Sequence, residues 1–188
     1  MRDDEFCRAC GVHPVRVVLD DIPLCDRCSD RRLSEATGWP ELPDPPAPAV
    51  FTGPDGRTHP MEFRLWRAPT GIVAEAQENS TPPMEGYHVD VMGGHDADVD
   101  RLLRTLHDRV DAQISQLFLR PADHGPGWTL AGDEVAGRLV QLAGDAPYAV
   151  VVDGRTLSWD ELGRALGAFE GWQFRLSIDD TGEPDEPR

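Results

Sequence analysis

The chain reads as α+β, an N-terminal four-cysteine module followed by a mainly antiparallel sheet with two helices. Three observations predict it. Two Cys-x-x-Cys pairs stand in the first thirty residues, apolar and polar positions alternate repeatedly after residue 58, and one long stretch repeats apolar residues at helical spacing.

The cysteine module covers residues 1–39. Cys7 and Cys10 form one pair, Cys25 and Cys28 the other, with fourteen residues between them and no cysteine elsewhere. A two-residue gap lets both sulfurs of a pair reach one metal at about 2.3 Å, so the pattern reads as a single tetrahedral Zn²⁺ site. A redox dithiol, a disulfide pair and an iron–sulfur centre are the competing readings. Four thiolates close the shell and leave no position for an activated water, so the zinc is expected to be structural. Gly11 can take a positive φ and aim amides at the sulfurs. Val15 to Leu24 reads as a hairpin turning at Asp20-Asp21, and Ser29–Thr37 as a helix ended by Gly38. Knuckle, hairpin and helix in that order make a treble-clef-like zinc ribbon. Arg8 and Arg27 lie inside the pairs, where they can soften the negative shell, and His13 reads as a polar knuckle residue rather than a ligand.

Residues 40–48 hold five prolines in nine positions and should run as an extended, semi-rigid spacer. The linker is expected to continue to residue 57. The α+β domain then spans 58–178. Met61, Phe63 and Leu65 alternate with Glu62, Arg64 and Trp66, Pro69-Thr-Gly71 turns, and Ile72–Glu78 returns as the next strand. After a polar loop at 79–86, Tyr87, Val89 and Val91 alternate again. Gly93-Gly94 ends that strand.

Val99, Leu102, Leu103, Leu106, Val110, Ile114, Leu117 and Phe118 then lie on one helical face, with Asp96 or Asp98 as the cap and Pro121 beyond the end. Past a loop at Pro121–Trp128, strands are expected at Glu134–Leu142, Ala149–Val152 and Arg155–Leu157, the last two joined by an Asp153-Gly154 turn. Ser158 and Glu161 form a capping box for a helix burying Leu162, Ala165, Leu166 and Phe169. Gly171 stops it, Trp172–Ile178 reads as a final strand, and the acidic tail 179–188 is expected to be disordered.

The segment Val-Val-Asp-Gly-Arg-Thr-Leu-Ser-Trp-Asp-Glu-Leu-Gly-Arg-Ala-Leu-Gly-Ala-Phe-Glu-Gly-Trp-Gln-Phe-Arg-Leu, residues 151–176, resembles the end of a bacterial family of uncharacterised proteins. Members similarly pair an N-terminal four-cysteine zinc ribbon with a C-terminal domain of unknown function, and the likeness runs over most of residues 5–178. The resemblance implies zinc at Cys7, Cys10, Cys25 and Cys28. It implies nothing about catalysis.

Other clusters read as structural. His88, Asp90, His95, Asp96, Asp98 and Asp100 suggest a divalent-metal or hydrolase site, but a calcium loop started at Asp96 has Arg101 where glycine is needed and His107 where glutamate is needed. A solvated turn before a helix is the better account. Trp66, Trp128, Trp159 and Trp172 are expected in the core rather than around a ligand. Ser158 and Glu161 near Asp153 and His124 lack a nucleophile elbow, so they read as a cap.

The balance of 18 basic against 34 acidic residues, formal net charge −16, opposes binding to nucleic acid or an anionic membrane. A basic patch at Arg27, Arg31 and Arg32 is the best exception. No apolar run is long enough to cross a membrane and the N-terminus lacks a signal-peptide stretch, so the cytoplasm is expected. The preferred function is a non-enzymatic interaction or adaptor protein with a protein partner. The alternative is a small-molecule-binding or enzymatic domain with an accessory ribbon, and a nucleic-acid-associated regulator acting through the ribbon ranks behind both.

Overall fold

Backbone donors and acceptors that leave water must pair, and period-two and period-3.6 segments do so as sheets and helices. The computed structural model describes residues 6–79, 86–141 and 148–178. The tail 179–188, most of the 79–86 loop and Leu142 lie outside these residues. Among the described residues the fold is α+β, with four antiparallel sheets and three α-helices; after the module two α-helices stand as expected, but the strands form three sheets rather than one. No helix among them is long and apolar enough to cross a membrane.

The module begins with the turn at Cys7–Cys10 and a hairpin of β1 (Val17–Leu19) and β2 (Ile22–Leu24). Asp20 and Asp21 both take positive φ, 50° and 61°, which gives the turn the twist that two antiparallel strands need. Helix α1 (Asp26–Thr37) follows directly and starts three residues earlier than Ser29. Gly38, at φ 76°, closes it by donating its N–H to the Ser34 carbonyl. The buried residues of α1 are Ser29, Asp30 and Ser34, none of them apolar. An isolated helix of this length is marginal in water, so α1 depends on what holds its two ends.

The stretch expected as linker to residue 57 contains a strand, β3 (Ala49–Thr52), paired with β4 (Thr58–Ala68). β5 (Gly71–Glu78) and β6 (His88–Gly93) complete a sheet in the order β3-β4-β5-β6. One face presents Met61, Leu65, Ile72, Ala74, Ala76, Val89 and Val91. Helix α2 (Val99–Ser115) lays Leu102, Leu106, Val110 and Ile114 upon it. Asp98 is the cap, its carboxylate accepting the Arg101 N–H at 3.1 Å. Leu117 and Phe118 lie beyond the helix rather than on it.

A second core has its own elements: β7 (Leu119–Pro121), β8 (Trp128–Leu130), the sheet of β9 (Arg138–Gln141), β10 (Tyr148–Val152) and β11 (Arg155–Leu157), and α3 (Trp159–Ala165). β7 and β8 pair across the stretch expected to be a loop. Leu119, Leu130, Val152, Leu157 and Ala165 fill this core. Asp153 ties it to the end of α2, its carboxylate accepting the N–H groups of Phe118 and Leu119 at 2.7–3.1 Å. Trp172–Ile178 pairs with no strand among the described residues, contrary to the alternating pattern, and its apolar side chains face outward.

Candidate metal centre and its surroundings

Sulfur ligands need turns that point several thiols inward and amides that offset their charge. Gly11 permits the first turn: at φ 68° it donates its N–H to the Cys7 carbonyl at 2.8 Å. The second pair is set by α1, with Cys25 as its N-cap residue and Cys28 in its first turn. The four Sγ atoms all lie within 4.8 Å of one another. Cys10 Sγ and Cys25 Sγ are 3.9 Å apart. A tetrahedral thiolate shell with metal–sulfur bonds of about 2.3 Å has sulfur–sulfur edges of about 3.8 Å. The donor set can therefore hold one metal ion with little movement. Cys7 and Cys25 are buried, Cys28 is half-buried and Cys10 is exposed.

Backbone amides prepare the thiols unequally. Burial opposes ionisation of Cys7, but hydrogen bonds from the backbones of Cys25, Cys10 and Ala9 outweigh it and pull the thiol down to about 6. The backbones of His13 and Val12 lower Cys10. Burial raises Cys25, and burial together with the neighbouring sulfurs pushes Cys28 up to about 12. Without a cation the cluster resists carrying four charges, and a bound metal removes that resistance. His13 contributes backbone: its carbonyl accepts the Cys7 N–H at 2.8 Å while its side chain stays exposed.

The module is fastened to the β3–β6 sheet by two carboxylates one helical turn apart. Asp26 accepts from Arg64 Nε and Nη2 at 3.0–3.2 Å, and Asp30 Oδ1 accepts from Arg67 Nε at 2.8 Å. Asp30 Oδ2 also takes the Leu42 N–H at 2.7 Å, and Arg67 Nη2 reaches the Pro40 carbonyl at 2.7 Å. The start of the proline-rich stretch is thereby held against the sheet rather than running free. Arg64 continues the chain of charge to Glu75 Oε2 at 2.8 Å, and His88 Nε2 meets Glu75 Oε1 at 2.8 Å. Burial works against the Glu75 carboxylate, yet His88 and Arg64 together hold it below its ordinary value. A second buried group joins His59 Nδ1 to Glu78 Oε1 at 2.8 Å under the edge of the Tyr87 ring. None of these networks was legible beforehand, because their members are far apart in sequence and sit on alternating strand positions.

The histidine–aspartate cluster does not converge. His88 faces Glu75 on the outer side of the sheet, whereas His95 stacks on Trp39 at 4.1 Å and meets the Pro69 carbonyl. His95 and Asp96 instead line a crevice of about 570 Å³ between residues 39–42 and the start of α2. Ser158 and Glu161 form the expected capping box. Asp153 is engaged by backbone amides, as described above. Trp66 and Trp128 lie beneath the guanidinium groups of Arg64 and Arg155. Trp159 and Trp172 are exposed, a correction to their expected place in the core, because no sheet or helix among the described residues covers the surface they stand on. Arg27, Arg31 and Arg32 face Asp44, Glu41 and Asp20 at 3.2, 3.7 and 3.3 Å, so the basic patch is matched by acids.

Two family models match. Residues 43–115 match the model described as Domain of unknown function (DUF7686), and residues 118–183 match the one described as Domain of unknown function (DUF7713). No curated protein and no solved structure is matched. The two matched stretches correspond to the two cores: the first takes in β3 to α2, the second begins just before β7. The cysteine cluster precedes both.

Proposed function

We propose that the protein is a non-enzymatic interaction or adaptor protein whose treble-clef-like N-terminal ribbon holds one structural Zn²⁺ ion on Cys7, Cys10, Cys25 and Cys28. The observation that carries the zinc reading is the convergence of four sulfurs at near-tetrahedral separations. Zinc suits an all-thiolate shell of this size, and the shell leaves no open coordination position for chemistry on a substrate. Reduced thiols on a metal belong in a reducing compartment, which supports the cytoplasm. The partner is read as protein. A net charge of −16 and acid-matched arginines disfavour nucleic acid.

Elemental analysis of the purified full chain should find about one zinc per molecule, and Cys7→Ser or Cys28→Ser should abolish it. A metal-free protein whose module stays folded would overturn the zinc reading. Pull-downs from the native host with the full chain and with a version lacking residues 1–39 test whether the ribbon carries the partner contact.

One observation favours a small-molecule site instead. The crevice beside Trp39, Leu42, Ile72 and Ala97 has the volume of a modest ligand pocket, and His95, which lines it, has a buried Nδ1 with no hydrogen-bond partner among the described residues. Chemical-shift changes confined to Trp39 and His95 on screening small aromatic acids would support it.

A further inference from the structure

An extended segment places successive side chains on opposite sides, so residues two apart share a face. Trp172, Phe174, Leu176 and Ile178 follow that spacing and are 68, 91, 71 and 74 % exposed. Laid out as a strand, the segment would put Gln173, Arg175 and Ser177 on the other face. The segment leaves the 3-10 turn Leu166–Phe169 at Gly171, and Trp172 meets the Phe169 ring edge-on at 5.4 Å. It lies inside the match that ends at residue 183, so it belongs to the second domain and is no appendage to it. Monomeric proteins rarely leave so large an apolar stripe in water.

A receiving edge lies on the same chain. β9 is the outer strand of the order β11-β10-β9. Leu139 stands opposite Val150, and Tyr148 opposite Gln141, so Leu139, Tyr148 and Val150 share one face. Leu139 and Tyr148 are 49 and 60 % exposed, while Val150 packs against the core of Leu119, Leu130 and Val152. A strand laid along β9 with its apolar side turned this way would extend that core.

We infer that the chain forms a two-fold dimer in which Trp172–Ile178 of each copy adds as a strand to the β9 edge of the other. Area argues for reciprocity. The stripe exposes roughly 500 Å² per copy; one stripe with the surface it covers makes about 1,000 Å², below a standard interface, whereas two make about 2,000 Å². The arrangement is isologous and closes on itself. Because each copy carries −16 and the contact is apolar, the dimer tightens as salt screens the repulsion. A basic protein docked on the acidic chain would loosen instead. The inference stands independently of the metal reading.

Sedimentation velocity of the full chain at rising concentration and at two salt levels tests it. The expected species has twice the mass of the 20.7 kDa chain, and high salt should favour it. Phe174→Ser with Leu176→Ser should weaken association at least about a hundred-fold. Leu139→Arg on the receiving edge should weaken it too, both variants keeping the circular dichroism of the parent. A monomer under all conditions overturns the proposal. So does a dimer that survives either variant or loosens with salt.

Discussion

Asp30 and Arg67 meet at 2.8 Å with their side chains 7 and 2 % exposed, and this pair joins the cysteine module to the sheet. The carboxylate is shared with the Leu42 amide, and the guanidinium also reaches the carbonyls of Pro40 and His95 while lying 5.1 Å from the Trp39 ring. One buried arginine thus holds the helix, the proline-rich stretch and the loop before α2. A buried ion pair adds little over well-packed apolar residues, but losing one partner strands the other charge in a dry place.

Removing either partner should therefore cost more than a surface pair would. Arg67→Ala and Asp30→Ala are each expected to destabilise the protein by about 3–5 kcal/mol in urea unfolding. The double variant should cost clearly less than the sum, and strict additivity would show that the pair is not coupled. The exposed Arg27–Asp44 pair is the control, where Arg27→Ala should change stability by less than about 1 kcal/mol.

Metal removal should spread along the same path. Helix α1 buries no apolar side chain and begins on Cys25, so chelation is expected to melt it and free Asp26 and Asp30. Far-UV circular dichroism should lose about one helix of signal, and Trp39 fluorescence should shift as its contacts with Arg67 and His95 are released. Signals from α2 should persist, because its four buried apolar residues rest on the sheet without help from the module. An unchanged α1 after complete chelation would show that the arginine clamps alone hold it.

Acid should act on Glu75. Its folded value lies below the 4.5 of the free side chain, because His88 and Arg64 outweigh the effect of burial. A depressed carboxylate binds fewer protons folded than unfolded, so its contribution is complete above about pH 4.5 and is lost as pH falls through the folded value. Glu75→Gln should be less stable than the parent at neutral pH, with the gap closing in acid. Unfolding curves taken from pH 7 to pH 3 would check this, and a gap independent of pH would refute the assignment.

Asp153 combines two demands. Its φ is 51°, and its carboxylate receives three hydrogen bonds from the amides of Phe118 and Leu119. Asp153→Gly keeps the backbone but loses the bonds, and Asp153→Ala loses both, so alanine should be worse by about 1 kcal/mol. Thermal unfolding of the two variants would separate backbone strain from the cost of unpaired amides.

Much of this was legible in local chemistry. The two Cys-x-x-Cys pairs foretold that four sulfurs meet, since each two-residue turn already brings two thiols together. The spacing of Leu102, Leu106, Val110 and Ile114 foretold α2, and Ser158 with Glu161 foretold the start of α3. Residues 49–52 were hidden because the prolines before them mask a strand only four residues long. Leu117 and Phe118 mimicked another helical turn, although the chain leaves the helix before them and Asp153, thirty-five residues beyond Phe118, holds the Phe118 and Leu119 amides at the start of β7. Trp172–Ile178 has the alternation of a strand, but alternation specifies a face and not the neighbour that pairs with it.

By itself, then, the sequence determined what spacing along the chain can encode: a four-thiol donor set, the periodic faces of the longer strands and α2, and an acidic surface. Only the tertiary structure decided that Asp26 and Asp30 close on Arg64 and Arg67, that His88 and His95 lie apart, and that an apolar stripe is left in the open. The physical reason is that periodicity and turn chemistry act between near neighbours. Ion pairs and exposed faces depend on which distant segments pack, and in this chain those contacts join a small four-cysteine module to the β3–β6 sheet and the end of α2 to the second core.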